Sequence, residues 1–263
     1  MLGKLLKYDL KWLYKVLIVF YILALIFSLI GRGFNSIENS VLFNILAQIS
    51  FGIAISMMVS SLINCLMRSW VRFIYNTYKD ESYLTHTLPV KKNTIYLSKV
   101  LTSIICMLTT TIIIGVCLFI CYYSEANIEA LKSMLELAAD TYNTTVINLL
   151  LIIFAVLFLE LVFIVLVGYD GIIIGHRFNN NKMLKSILIG LGLYIATNAL
   201  TLGLVAIYGL INPDIMNLIN TTKNVDIGTV KSVMYIAIVI YIIYNVLYYI
   251  LGKKELEKGV NVD

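Results

Sequence analysis

Long apolar runs separated by short lysine-bearing segments set the pattern of this chain. Six runs are sustained enough to cross a hydrocarbon core, at Leu13 to Ile30, Val41 to Leu66, Tyr96 to Tyr122, Val146 to Val167, Ile187 to Ile211 and Val233 to Leu251. Crossing takes roughly 20 helical residues at about 1.5 Å each. None of the runs alternates with the period of two that a transmembrane β-strand needs, so the expected fold is an all-α polytopic bundle of six helices. Pro89 and Pro213 both fall in connecting segments, as expected where lipid offers the backbone no hydrogen-bonding partner.

The polar segments carry their own periodicity. In "MLGKLLKYDLKW", Leu2, Leu6, Leu10 and Leu13 form one helical stripe and Lys4, Lys7, Lys11 and Lys15 another. This predicts an interfacial helix over residues 1–12, lying in the headgroup plane with Trp12 at interface depth, although a generic basic anchor fits the same residues. In "RSWVRFIYNTYKD", Arg68, Arg72, Asn76 and Lys79 share one face and Trp70, Phe73, Ile74 and Thr77 another, so a helix leaving the second span carries an amphipathic surface to the membrane boundary. Residues 67–95 form a cytoplasmic segment in which Pro89 stops a brief helical turn, because its ring disfavours helix at Leu88. The outer loop 124–145 contains "EANIEALKSMLELAAD", with Ile128, Leu131, Met134 or Leu135, and Ala138 at helical spacing; it predicts a surface helix on the outer leaflet.

Composition agrees with a single transmembrane domain over 1–263. Of 263 residues, 60% are hydrophobic and 13% charged, with a mean hydropathy of +0.90, against about a quarter charged in soluble domains. Sixteen of the 20 Lys and Arg lie before or at the start of span one, between spans two and three or at the start of three, between four and five, and after six; only Arg32, Lys132, Lys223 and Lys231 lie on the opposite side. The positive-inside rule then puts both termini and the 67–95 loop in the cytoplasm of a cell membrane. The net charge of +5 is thus topological and no nucleic-acid partner is expected. The first span is expected to act as its own signal anchor, since the apolar run is too long for a cleavable signal.

Candidate chemistry is sparse. Cys65, Cys106, Cys117 and Cys121 lie within spans two and three, where thiols serve as small packing residues. His86 and His176 lack a second ligand at metal spacing and read as interfacial polar residues; no metal is expected. Two Asn-Thr-Thr sequons, at Asn143 and Asn220, are assigned nothing. Glu160 stands mid-span in "FAVLFLELVF", where a charge costs about 3 kcal/mol and each neighbouring Leu, Ile, Phe or Val returns about 0.3–0.6. It reads as lining a translocation path or subunit interface, with a packed, hydrogen-bonded or protonated carboxyl as the alternative. In "VGYDGIIIGHRF", Asp170 sits among Gly168, Gly171 and Gly175; the glycines allow a kink or close helix approach, or more plainly weaken the helix as it leaves the bilayer.

"RFIYNTYKDESYLTHTLPVKKNTIYLSKVL", Arg72 to Leu101, resembles the signature of permease subunits of bacterial export-type ATP-binding-cassette transporters, a group associated with antimicrobial-peptide export and immunity. The residues that carry the likeness are Arg72-Phe73, Asp80-Glu81, Tyr83-Leu84-Thr85, Thr87-Leu88-Pro89-Val90 and Ser98-Lys99. "IIIGHRFNNNK", Ile172 to Lys182, adds a weaker match. Ser82 and Lys79 stand where the family often has Gly. The resemblance implies that Asp80 to Leu88 form a coupling helix that docks a separate cytoplasmic ATPase through Asp80, Glu81, Tyr83, Leu84 and Thr87. It further implies that ATP and Mg bind on that partner, that two permease subunits, either two copies or this chain and a relative, line the path, and that the cargo is an amphipathic substrate, an antimicrobial or cytolytic peptide before a lipid. No Gly-Lys-[Ser/Thr] phosphate loop occurs in this chain, Gly3-Lys4-Leu5 and Gly252-Lys253-Lys254 both failing. A non-pumping immunity or sensor subunit shares the signature. An intramembrane protease would need a nucleophile or metal constellation that the spans do not offer.

Overall fold

A computed structural model describes residues 1–37, 40–141, 143–211 and 227–259, and the regular structure among them is entirely helical. The helices are α1 (Leu2–Asn35), α2 (Val41–Thr77), α3 (Ser82–Thr87), α4 (Lys92–Tyr122), α5 (Glu125–Thr141), α6 (Val146–Gly175), α7 (Lys182–Ile211) and α8 (Ile227–Glu257). Six of them, all but α3 and α5, are long and apolar enough to span a membrane, as expected of a multi-pass membrane protein. Pro213, Lys223 and the Asn220 sequon lie outside the described residues.

The chain divides into two compact units, with the boundary inside α5 after Glu129. In the first unit, α1 packs on α2 and α4, and α2 packs on α4 and α3. The buried stripe of α1 runs Asp9, Leu13, Leu17, Tyr21, Ala24, Ser28 and Gly31, three or four residues apart. Hydroxyl pairs tie α1 to α4: Tyr14 to Thr109 at 2.8 Å and Tyr21 to Thr110 at 2.6 Å. Ala24, Ala54, Met58, Cys117 and Cys121 form an apolar cluster where small residues let the helices approach closely. All four cysteines are buried packing residues.

The N-terminal segment is helical but does not turn into a separate element. Over 34 residues α1 is unbroken, about 51 Å at 1.5 Å per residue. In this continuous helix Asp9 lies on the buried stripe, where it meets Arg72 of α2 and Lys99 of α4. The amphipathic 68–77 stretch is likewise the end of α2, which runs unbroken through 37 residues.

In the second unit α6 packs against both α7 and α8. Phe163 lies at its centre, with ring centroids 5.5–6.1 Å from Tyr194, Tyr241, Tyr244 and Tyr248. Two of these tyrosines bond back to α7, Tyr244 to Thr201 at 3.0 Å and Tyr248 to Thr197. A Cβ on Gly171 would meet the Gly190 Cα at 2.6 Å, and one on Gly175 would collide with Ser186 backbone and hydroxyl. Gly171 and Gly175 thus serve close helix approach, and for these two the plainer expectation of a merely weakened helix end is corrected. His176, at the end of α6, is buried, its Nδ1 lying 2.9 Å from the Ile172 carbonyl and 3.1 Å from the Ser186 hydroxyl. Asp170 is fully buried. Beyond α6, Arg177 pairs with Glu255 near the end of α8, and Lys258 joins the same carboxylate at 2.6 Å.

Helix α5 forms where its periodicity placed it, with Leu131 and Met134 well exposed and Leu135 and Ala138 half-buried.

Candidate functional site: a knuckle fastened to three spans by a ring of charge

The connection between α2 and α4 is built from the chain upward. Thr77 is the last helical residue of α2, and the Tyr78 amide closes the helix on the Ile74 carbonyl at 2.8 Å. Tyr78 is buried and meets Phe73 edge to face, as does Tyr96 of α4, each at 6.3 Å between centroids. That aromatic trio makes the base of the knuckle. The chain then turns at Lys79 and Asp80, the Ser82 amide bonding the Lys79 carbonyl at 2.7 Å, and enters α3. Six residues later Leu88 is extended, at φ −63° and ψ 138°, as its following proline requires.

With only six residues, α3 presents two sides. Ser82 and Thr85 are buried, while Tyr83 and Leu84 are 70% and 73% exposed. Thr87 is exposed on the same outward side, its hydroxyl turned back to the Leu84 carbonyl at 3.0 Å. His86 is half-buried and reaches the Thr77 carbonyl at 3.2 Å through Nε2. Asp80 is exposed and has no ion-pair partner among the described residues. The remaining member of the expected docking set, Glu81, points the other way.

Glu81 is one corner of a closed ring. Both its carboxylate oxygens accept from Arg72 Nη1 at 2.9 Å, and one also accepts from the Asn76 amide. Arg72 Nε donates to Asp9 Oδ1 at 2.9 Å. The Lys99 ammonium donates to both Asp9 oxygens at 2.7 Å and to the Asn76 carbonyl, which completes the circuit. Two cations, two carboxylates and one amide thus come from α1, α2, α4 and the turn before α3. Trp12 floors the ring: the Arg68 and Arg72 guanidinium groups lie 4.2 and 5.3 Å from its ring centre, and Arg68 also donates to the Trp12 carbonyl at 3.1 Å. A cavity of about 140 Å³ lies alongside, with Leu5, Thr85, Leu88, Ile95 and Ser98 in its walls.

Burial is graded around the ring. The side chains of Asp9 and Lys99 are 3% and 6% exposed, whereas that of Glu81 is 44% exposed. At the Asp9 end, water cannot replace a lost partner, so the pairing there is obligatory. At Glu81 the ion pair is screened, and what it supplies is direction.

The polar face read on residues 68–79 is therefore turned inward, not toward headgroups, for Arg68, Arg72 and Asn76; Lys79 alone stays out, 5.5 Å from the centre of the Tyr75 ring. Asp9 was not singled out by the sequence reading, and Lys99 entered it only through a motif. Glu160 takes no part in the ring. It is half-buried on α6 in electrostatic contact with Tyr241 of α8, and the neighbouring Asn245 amide donates to the Leu159 and Tyr241 carbonyls at 3.1 and 2.8 Å. Compared with protein-family models, with curated proteins and with solved structures, the chain finds no match.

Proposed function

We propose that this chain is the transmembrane permease subunit of an ATP-driven exporter of a bacterial cell membrane, with both termini in the cytoplasm. In this reading α3 is the coupling helix on which a separate ATPase sits, holding ATP and Mg itself. The cargo is an amphipathic, antimicrobial-type peptide, moved by alternating access along a path completed by a second permease subunit. The observation that carries the reading is the sidedness of α3. A six-residue helix between two spans holds Tyr83 and Leu84 outward beside Asp80 and Thr87, while Glu81, Ser82 and Thr85 face the spans. Large apolar and aromatic side chains fixed on a rigid protrusion are what a protein partner's pocket can grip.

The test is co-expression with a candidate ABC-type ATPase from the same genome, followed by affinity purification. Tyr83→Ser/Leu84→Ser should lower recovery of the ATPase by at least about tenfold, the scale of losing one or two anchor side chains. Thermal stability of the permease should not change, since both positions are exposed. Equal recovery would overturn the docking assignment, and peptide resistance that persists without ATP turnover would mark a non-pumping immunity subunit instead.

Glu160 is read as part of the path or of the permease interface. Glu160→Gln should then reduce peptide export or resistance at unchanged membrane expression, because intramembrane carboxylates seldom persist without a task. Unaltered export would leave it a packing role only.

A further inference from the structure

We infer that Asp9 is a positioning residue that compels α1 and α4 to move with α3, so that displacement of the knuckle is delivered to three spans at once. This inference rests on the coupling reading of α3. The main chain joins α3 to α2 through the Tyr78–Asp80 turn and to α4 through the extended stretch at Leu88–Lys91. Such connections can bend. The side-chain route is different in kind. From Glu81 one branch runs through Arg72 and the other through Asn76 and Lys99, and both end on the Asp9 carboxylate. At its Asp9 and Lys99 corners this circuit of charge-assisted bonds cannot shear without parting a buried ion from its partner, while the screened Glu81 corner gives the knuckle its direction.

From Asp9 the load has somewhere to go. The helix continues unbroken to Asn35, and one and three turns further along it Tyr14 and Tyr21 bond to Thr109 and Thr110 of α4. The ring and the two hydroxyl pairs therefore fix α1 to α4 at two levels, at Lys99 and at Thr109–Thr110. The ring holds two positive and two negative groups, and removing Asp9 and Lys99 together leaves it neutral. That property separates the mechanical role from a merely structural one.

The experiment uses the full chain assembled with its ATPase in lipid nanodiscs, the four native cysteines changed to alanine. Nitroxide labels are placed at the exposed positions Lys11 on α1 and Lys79 in the turn that leads into α3, and distances are measured nucleotide-free and after trapping with ATP and vanadate. With the ring intact, the two labels keep one unchanged distance in both states. In Asp9→Asn/Lys99→Gln, the ATPase is retained and the melting temperature stays close to the parent, but the label distance shifts or broadens on trapping. Asp9→Glu restores the single distance. An unchanged distance in the neutral double variant overturns the inference while the docking reading stands, provided Tyr83→Ser/Leu84→Ser still loses the ATPase. If the parent chain recruits no ATPase at all, the coupling reading falls first and takes this inference with it.

Discussion

Replacing Asp9 by alanine is expected to destabilise the first unit by about 3–5 kcal/mol, the scale measured when one partner of a buried ion pair is removed. Lys99 would lose its carboxylate partner where its side chain is 6% exposed, and Arg72 would lose its inner carboxylate. Lys99→Met should cost a comparable amount for the mirror-image reason, since Asp9 would then rely on Arg72 alone. The double change Asp9→Ala/Lys99→Met should cost clearly less than the two single losses added together, because each single variant strands a charge that the pair does not. Thermal or denaturant unfolding in detergent, followed by helical signal, gives the four corners of this cycle. Additive losses would mean that the two residues act independently, in conflict with the 2.7 Å contacts between them. Glu81→Gln makes a useful contrast. Its side chain is 44% exposed, so its loss should cost no more than about 1 kcal/mol, in the range of screened surface pairs.

The graded burial of the ring also explains which parts of this protein can be read from its residues. Helices in lipid must satisfy their backbones internally, so length and apolarity alone placed six spans close to α1, α2, α4, α6, α7 and α8. Pro89 placed the end of α3 by local sterics. The ring was not legible in the same way, because its bonds join residues 63 and 90 positions apart, Arg72 and Lys99 each to Asp9. One local signal did exist. Asp9 continues the stripe Leu13, Leu17, Tyr21 and Ala24 at a spacing of four, and an acid on the buried face of a helix demands a cation from a neighbour. Its setting among Lys4, Lys7, Lys11 and Lys15 masked that signal by suggesting a surface helix. Glu81 misled for a related reason. Adjacent acids in a polar loop look equivalent, yet successive residues around a tight turn face different ways, and the structure sends Asp80 out and Glu81 in.

In the second unit the largest effect is steric. Gly171→Ala should destabilise by about 1–3 kcal/mol, the range for inserting a methyl group into a filled interface. The added carbon would lie 2.6 Å from the Gly190 Cα, 2.7 Å from its nitrogen and 2.9 Å from the Ser186 carbonyl oxygen, all of them backbone atoms that cannot rotate aside. Gly175→Ala should behave similarly, since Ser186 occupies the same space and its hydroxyl is held by His176 at 3.1 Å and by the Lys182 carbonyl at 2.9 Å. Larger residues at either position would force α6 and α7 apart and loosen the packing that begins at Phe163. Gly192→Ala is the internal control: nothing lies within 4 Å of its Cβ position, so the change should be neutral or stabilise the helix by up to about 1 kcal/mol. Melting curves of the three variants decide the matter. If Gly171→Ala and Gly192→Ala shift the midpoint alike, close contact is not what selects glycine on α6.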